Sequence, residues 1–251
     1  MLIMGILNVT PDSFADGGKH NEFDAALARG LEMIEEGVDI IDIGGESTRP
    51  GADRVTEVEE LARTIPVITE LAKHGVRISI DTMRASTAEA AINAGASIIN
   101  DVSGGLADPL MLQTAARMKV PYIAMHWRGQ SKDMNSKAIY VDVVKDVISE
   151  LQERIAAALD AGIDPNNLIV DPGLGFAKEA HHNWAIIDAV DDFVAMGYPV
   201  LVGASRKRFL GGDSPDEREQ AKIDLTKRLA PSGVWAVRVH SVKPHKEMLS
   251  R

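Results

Sequence analysis

The feature that most constrains the fold is a regular alternation of short apolar runs with longer amphipathic segments. The short runs are rich in Ile and Val, and each closes on a polar residue or a glycine. Near-continuous apolar runs of this length are typical of parallel strands that are buried on both faces. Eight strands are predicted, over residues 2–8, 39–44, 77–81, 97–101, 122–126, 168–171, 200–203 and 236–240.

The segments between the strands repeat apolar residues at helical spacing. Val58, Leu61 and Ile65 show this spacing in the second segment, and such a stripe predicts a helix that packs on a sheet. Asn21 is the expected N-cap of the first helix. Only 11 residues follow the last strand and Pro244 interrupts them, which counts against an eighth helix. Helices are predicted over residues 23–36, 57–74, 87–94, 109–118, 141–161, 183–194 and 216–229.

This alternation indicates a (β/α)8 barrel. The chain has 251 residues, which matches the ~250 residues typical of that fold. The competing fold is a doubly wound open sheet, which needs a reversal of strand order that the sequence does not show. No linker, low-complexity tract or shift of composition divides the chain, so one domain spanning residues 1–251 is expected.

Composition excludes several classes of function. The formal net charge is −10, so the chain as a whole repels nucleic acid, although a local basic pocket for a small anion remains possible. There is no Cys, which rules out disulfides and thiolate metal sites and fits a cytoplasmic protein. No apolar run approaches the ~20 residues that cross a bilayer, and the first residues lack the basic start of a signal peptide.

Polar residues close every predicted strand. Active sites of barrels lie at the carboxyl ends of the strands, so these residues are treated as one constellation. A single Asp or Asn at such a position is explained equally well as a helix cap, but caps do not account for all eight ends together. The constellation comprises Asn8, Glu46 to Arg49, Asp81, Asn100, Asp101, Met125, His126, Asp171, Ser205 to Lys207, Arg238 and His240.

The last two strands concentrate positive charge. Arg238 and His240 share one face of their strand because side chains alternate with a period of two, and two cations inside a barrel need an anion to offset their desolvation. Ser205, Arg206 and Lys207 follow strand 7 beside a predicted helix N-terminus, which also favours anions. The loops after strands 7 and 8 are the common phosphate site of barrels. A phosphate or diphosphate ester is therefore the expected substrate.

Three polar residues close strands 3, 4 and 6: Asp81, Asn100 and Asp171. Buried carboxylates need partners, and the partner is either a divalent metal or the N–H edge of a heterocycle, which a carboxylate binds bidentately. Their spread around a cavity favours a flat polar ring. Met125 lies on the same face of strand 5 as Ile123, which would let it line this pocket, whereas His126 is expected to be structural.

Seven motifs in order resemble the signature of the dihydropteroate synthase family. The resemblance runs from Met4 to about Val242, and the stretches MHWRG and DPGLGFAKEAHHNWAI are most similar to its actinobacterial branch. The motifs are MGILNVTPDSFADGG, DIGGESTRPGA, ISIDTMR, INDVSGG, VDPGLGFAK, VLVGASRKRFLG and VRVH.

The resemblance implies a barrel enzyme of folate biosynthesis that joins 4-aminobenzoate to (7,8-dihydropterin-6-yl)methyl diphosphate and releases diphosphate. It implies Mg²⁺ as cofactor, a homodimer and a sulfonamide target. The implied catalytic residues are Asp16, Lys207, Arg238 and His240. The implied pterin site comprises Asp81, Asn100, Met125, Asp171, Phe176 and Lys207. The implied diphosphate site comprises Asn8, Arg238 and His240, and Asn8 also places Mg²⁺.

The resemblance also implies an aminobenzoate site and two lid loops. The lids cover residues 10–17 and 47–51 and exclude water, which would otherwise compete as nucleophile. The implied aminobenzoate and lid residues are Thr10, Pro11, Ser13, Phe14, Thr48, Arg49, Pro50, Ser205 and Arg206. The implied mechanism is SN1-like: diphosphate leaves first, and the neutral aryl amine then attacks without a general base.

Two departures and three alternatives accompany this interpretation. Lys222 and Ser241 stand where the family has a small or hydroxyl residue and Asp, respectively. Arg238 is expected to be free for diphosphate; the alternative is a buried ion pair with Asp42 or Glu46. The rival functions are a corrinoid-linked methyltransferase that uses methyltetrahydrofolate, and a catalytically silent paralogue that binds pterin.

Overall fold

Eight parallel strands form a ring in the part of the chain that the structure describes. The structure is a computed structural model, and it describes residues 1–10, 19–47, 54–130, 134–214 and 217–250. The sheet order is β6-β5-β4-β3-β2-β1-β8-β7, and a bridge between Val170 and Val200 joins its two ends. The strands are β1 Leu2–Asn8, β2 Ile40–Gly44, β3 Arg77–Asp81, β4 Ile98–Asp101, β5 Tyr122–Met125, β6 Leu168–Asp171, β7 Leu201–Val202 and β8 Ala236–Val239.

Helices follow the strands and surround the ring, as in a (β/α)8 barrel. The helices are α1 Lys19–Glu35, α2 Glu57–Ala72, α3 Ala85–Asn93, α4 Met111–Met118, α5 Val143–Asp160, α6 Ala180–Asp188, α7 Val190–Val194, α8 Glu217–Leu229 and α9 Val242–Leu249. The predicted fold class is therefore confirmed. No helix in the described part is long and apolar enough to cross a membrane.

Two apolar layers stabilise the barrel. The larger fills the space between the strands and the helices, where Tyr122 and Phe193 are fully buried. The smaller lies inside the ring and includes Met4, Ile40 and Ile123. Because Met4 pairs in register with Ile40 near the start of both strands, this plug closes the amino end of the barrel and leaves the carboxyl end for a site.

Three predictions about helices are wrong. An eighth helix does form: Pro244 is the third residue of α9, where the backbone N–H that proline lacks has no partner within the helix. Helix α1 begins at Lys19, so Asn21 lies inside it and is not its cap. The helix predicted over residues 183–194 begins at Ala180 and is divided at Ala189 into α6 and α7.

Candidate active site

A cavity of about 870 Å³ opens among the carboxyl ends of the strands. Its size is in the range of sites that hold small molecules. All the described residues of the implied catalytic, substrate and metal sites line it, whereas Asp101 and His126 of the constellation do not. The lining residues are Asn8, Thr10, Asp81, Asn100, Met125, Asp171, Phe176, Ser205, Arg206, Lys207, Arg238 and His240. Residues from seven strand ends and their loops therefore meet in one space.

The floor of the cavity is polar because of strand alternation. Asn100 follows the plug residue Ile98 by two positions, and Asp171 follows Ile169 in the same way, so their side chains point into the ring above the plug. Asp81, Asn100 and Asp171 are all buried. The barrel thus presents two carboxyl groups and one amide on an apolar base.

Arg238 is bound to two carboxylates of this floor. Its Nε donates to Oδ2 of Asp42 at 2.5 Å, and its Nη2 donates to Oδ2 of Asp81 at 2.6 Å. The amide of Asn100 donates to the same oxygen of Asp42 at 3.1 Å. The expectation that Arg238 lacks a structural carboxylate is therefore wrong, and the alternative of a buried pair with Asp42 is confirmed.

Burial and mutual contact set the pKa values of Asp81 and Arg238. Burial raises the pKa of Asp81 to about 7, against the lowering effect of Arg238, and the neighbouring Asp42 raises it further. Burial opposes the charge of Arg238, but Asp42 and Asp81 together raise its pKa above the ordinary value. Two carboxylates share one guanidinium, so burial and the neighbouring Asp42 both favour the protonated form of Asp81.

Asp171 and Lys207 form a second charged part of the site. Oδ1 of Asp171 accepts from the backbone N–H of Gly173 at 2.7 Å. Burial raises the pKa of this carboxyl, and Lys207 opposes the shift. Burial lowers the pKa of Lys207 to about 8, and Asp171 opposes that shift in turn. Each group therefore stabilises the charged form of the other.

The ammonium of Lys207 is held by the loop after β6. It donates to the carbonyl of Leu174 and lies 4.6 Å from the ring centroid of Phe176, a cation–π distance. A Cβ at Gly175 would lie 2.7 Å from Cδ of Lys207, and Gly175 has a φ of +74°. Only glycine allows this loop to pass so close to the lysine.

At the mouth, His240 is bound to the loop after β7. Its Nδ1 lies 2.9 Å from Oγ of Ser205, and its backbone N–H donates to that Oγ at 3.3 Å. Strand β7 ends at Val202, so the prediction that strand 7 extends to residue 203 is wrong, and Ser205 reaches the site through a turn. The carbonyl of His240 accepts from Arg29 of α1 at 3.1 Å, which fixes the end of β8.

Glu46 anchors the other side of the mouth. Its carboxylate accepts from Nε of Arg54 at 2.9 Å and from Nη1 of Arg84 at 2.9 Å. It therefore does not pair with Arg238. The remaining predicted site residues lie outside the described residues: Pro11, Ser13, Phe14, Asp16, Thr48, Arg49 and Pro50.

Comparison with known proteins identifies the family. Residues 4–240 match the family described as "Pterin binding enzyme". The chain belongs to this family. A dihydropteroate synthase of Mycobacterium leprae is 48% identical over 257 residues, covering 98% of this chain and 90% of the relative. One of Bacillus subtilis is 49% identical over 246 residues, covering 96% and 84%.

Solved structures of the pterin-binding family have the same fold. A dihydropteroate synthase of Xanthomonas albilineans with 4-aminobenzoic acid superposes with a TM-score of 0.93 at 42% identity, over 99% of this chain and 90% of that one. A Yersinia pestis enzyme in a sulfonamide complex gives 0.93 at 40% identity, over 99% and 92%. The predictions of a dihydropteroate synthase, and of pterin-methyl transfer in folate biosynthesis, are therefore confirmed.

Two charged residues at or beside this cavity were not predicted as site residues. Asp42 was considered only as an alternative partner of Arg238, although its inward parity with Ile40 and Gly44 was a usable signal. Lys178 lines the cavity, but nothing in the sequence indicates that its side chain turns back onto the preceding loop.

Proposed function

We propose that this cavity condenses (7,8-dihydropterin-6-yl)methyl diphosphate with 4-aminobenzoate to give 7,8-dihydropteroate and diphosphate. One observation carries the proposal. A buried floor of Asp81, Asn100 and Asp171 lies in the same cavity as Arg238, which is bound to the floor through Asp81, and His240 at its mouth. The floor suits a neutral heterocycle with N–H donors, and Arg238 and His240 suit its anionic leaving group.

The floor would bind the pterin edge. A pterin presents a ring N–H beside an amino group, and a carboxylate accepts from such a pair in two parallel hydrogen bonds. Asp171 and Asp81 supply carboxylates, and Asn100 supplies both a donor and an acceptor. Met125 and Phe176 line the same cavity and provide apolar contact for the ring faces.

Asn8 would place a magnesium ion with the diphosphate. In the described part of the chain no group of three or more His, Asp or Glu side chains could hold a metal by itself. Mg²⁺ is commonly held by one or two protein oxygens together with substrate phosphates, so a single amide oxygen at the mouth fits this cation. When bound, Mg²⁺ would neutralise charge on the departing diphosphate.

The reaction begins with loss of the leaving group. The bond between the pterin methylene carbon and the diphosphate oxygen breaks, and the electron pair leaves with the diphosphate. Arg238 and His240 stabilise the charge that develops on that oxygen, while the floor carboxylates stabilise the pterin cation. Asp16 is assigned to the same cation from the resemblance. Because the surrounding groups are fixed before reaction, they need no reorganisation at this step.

Aminobenzoate then captures the cation. Its carboxylate would bind at Ser205 and Arg206, beside the mouth. The lone pair of its neutral amine forms the new C–N bond, and the resulting ammonium loses a proton to solvent. An aryl amine is neutral at pH 7, so no residue of the site has to act as general base. We further propose a cytoplasmic homodimer, and inhibition by sulfonamides in competition with aminobenzoate.

Purified protein with both substrates and Mg²⁺ tests the proposal. The expected result is one diphosphate released per dihydropteroate formed, dependent on aminobenzoate. Release of methyl groups from methyltetrahydrofolate to a corrinoid, with no dihydropteroate, would favour the methyltransferase. Pterin binding with neither product would identify a silent paralogue.

A further inference from the structure

A hydrogen-bonded relay that reaches the cavity wall connects α5 to the loop after β6. His126, which follows β5, is buried. Its Nε2 lies 2.9 Å from Oε2 of Glu150 on α5, and its Nδ1 lies 2.8 Å from Nζ of Lys178. Glu150 is also bound by Arg128, whose Nε lies 3.0 Å from the same oxygen. The relay is defined as Glu150, His126 and Lys178.

Chemistry fixes the direction of the hydrogen bonds in the relay. Burial would raise the pKa of Glu150, but its bonds to His126 and Arg128 lower it to about 2, so it accepts. Burial lowers the pKa of His126 to about 4, so the ring is neutral and carries its proton on Nε2. Nδ1 is then an acceptor, and Lys178 must be its donor.

Lys178 also binds the backbone of the loop after β6. Besides Nδ1 of His126, its Nζ donates to the carbonyl of Gly173 at 3.1 Å and to that of Phe176 at 3.2 Å. Burial lowers the pKa of Lys178 well below its ordinary value, and Asp171 opposes that shift. The three acceptors match the three protons of an ammonium group, so they favour the charged form of Lys178. The loop they hold has a φ of +68° at Gly173, which glycine adopts freely, and a φ of +47° at Ala177. In a residue with a Cβ this left-handed conformation persists only when its surroundings enforce it.

The opposite side of this loop holds Lys207. The carbonyl of Leu174 accepts from Lys207, and the ring of Phe176 lies beneath its ammonium. The loop is therefore held by two lysines, Lys178 through Gly173 and Phe176 and Lys207 through Leu174, and both lysines line the cavity. Any displacement of Gly173 or Phe176 moves the groups that orient Lys207.

We propose that Lys178 and His126 are positioning residues for the pterin, acting through the loop that places Phe176 and Lys207. This inference rests on the proposed function, because it assigns Lys207 and Phe176 to the pterin. It extends that function to residues that act on the pterin site alone. The diphosphate groups, Arg238 and His240, lie on β8 and after it and make no contact with the relay among the described hydrogen bonds.

The test compares two probes on the holoprotein with Mg²⁺. Lys178→Met keeps the length of the side chain and removes its donors. Calorimetry measures the binding of 6-hydroxymethylpterin, which lacks the diphosphate, and of inorganic diphosphate. Lys145→Met, an exposed change on α5, is the matched control, since Lys145 is 83% exposed and contacts only Asp142 among described ion pairs.

The expected result is selective. Lys178→Met should weaken the binding of 6-hydroxymethylpterin roughly tenfold to a hundredfold, the cost of a small misplacement. Its affinity for inorganic diphosphate should stay within about twofold of wild type. His126→Ala should show the same selectivity. Equal loss of both probes would indicate a general structural role, and an unchanged pterin affinity would also overturn the proposal. If Lys178→Met does not fold, Lys178→Gln carries the same outcomes. Wild-type turnover, measured in parallel, tests the proposed function separately.

Discussion

Nε of Arg238 and Oδ2 of Asp42 are 2.5 Å apart, although the two residues lie on strands that are not neighbours. Arg238 is on β8 and Asp42 on β2, and β1 lies between them. The pair therefore spans β1 inside the ring, and Asp81 on β3 extends it by one more strand. This link joins β8, β2 and β3 and spans β1, at the level where the substrate is expected.

Removing Arg238 should therefore destabilise the fold. Arg238→Ala leaves two buried carboxylates facing each other, and the expected loss is about 3–5 kcal/mol of unfolding free energy. Urea unfolding measures it. Arg206→Ala is the control, because Arg206 is exposed at the same cavity and should change stability by less than about 0.5 kcal/mol. An Arg238→Ala variant as stable as wild type would show that the link contributes nothing.

Asp171→Ala should reduce pterin affinity. A pterin N–H donor would lose its buried acceptor, at an expected cost of ~2–5 kcal/mol in binding free energy. Fluorescence titration with the pterin substrate measures the change. Asp164→Ala is the control, since Asp164 is exposed before β6, at the opposite end of that strand. Unchanged pterin affinity in Asp171→Ala would remove Asp171 from the site.

Lys222→Met should raise stability. Lys222 is fully buried, and its Nζ has no hydrogen-bond partner among the described residues. Burial lowers its pKa to about 7, and Lys207 lowers it further. Replacing such a cation by a hydrophobic residue of similar volume is expected to gain about 1–3 kcal/mol. Thermal melting should show the gain, while Lys227→Met, an exposed change on the same helix, should not.

The pH dependence gives the Lys222 prediction a second readout. Between the folded pKa of about 7 and the ordinary 10.5, the unfolded chain binds the proton that the folded chain does not, so this group makes stability rise with pH. The wild type minus Lys222→Met difference should therefore shrink as pH rises through this window. A difference independent of pH would contradict the assignment.

Substrate binding should be ordered, with the pterin diphosphate first. The resemblance implies that diphosphate and Mg²⁺ complete the aminobenzoate site, so aminobenzoate should bind weakly to the free protein and more tightly when both are present. Calorimetry of aminobenzoate with and without them measures this. Tight binding to the free protein would contradict an ordered mechanism.

The barrel was predictable from the sequence because its signals are local. Residues 2–8, 77–81 and 168–171 are strands with the predicted bounds, since apolar runs and the polar residues that end them specify both. Their positions at the ends of strands likewise placed Asp81 and Asn100 in the site, and the alternation of side chains placed Arg238 on the same face as His240. The sequence did not decide between diphosphate, Asp42 and Glu46 as the partner of Arg238, because the pair with Asp42 depends on which strands meet when the ring closes. The relay was missed because Lys178 turns back onto its own loop.

The central claim is that the bond to diphosphate breaks before aminobenzoate attacks. The most direct test is the secondary isotope effect of two deuterium atoms on the pterin methylene carbon, measured on kcat/KM where the rate is independent of solvent viscosity. The expected result is a normal effect clearly above unity, because that carbon becomes trigonal in the transition state. An effect indistinguishable from unity under those conditions would contradict the cationic mechanism and indicate direct displacement.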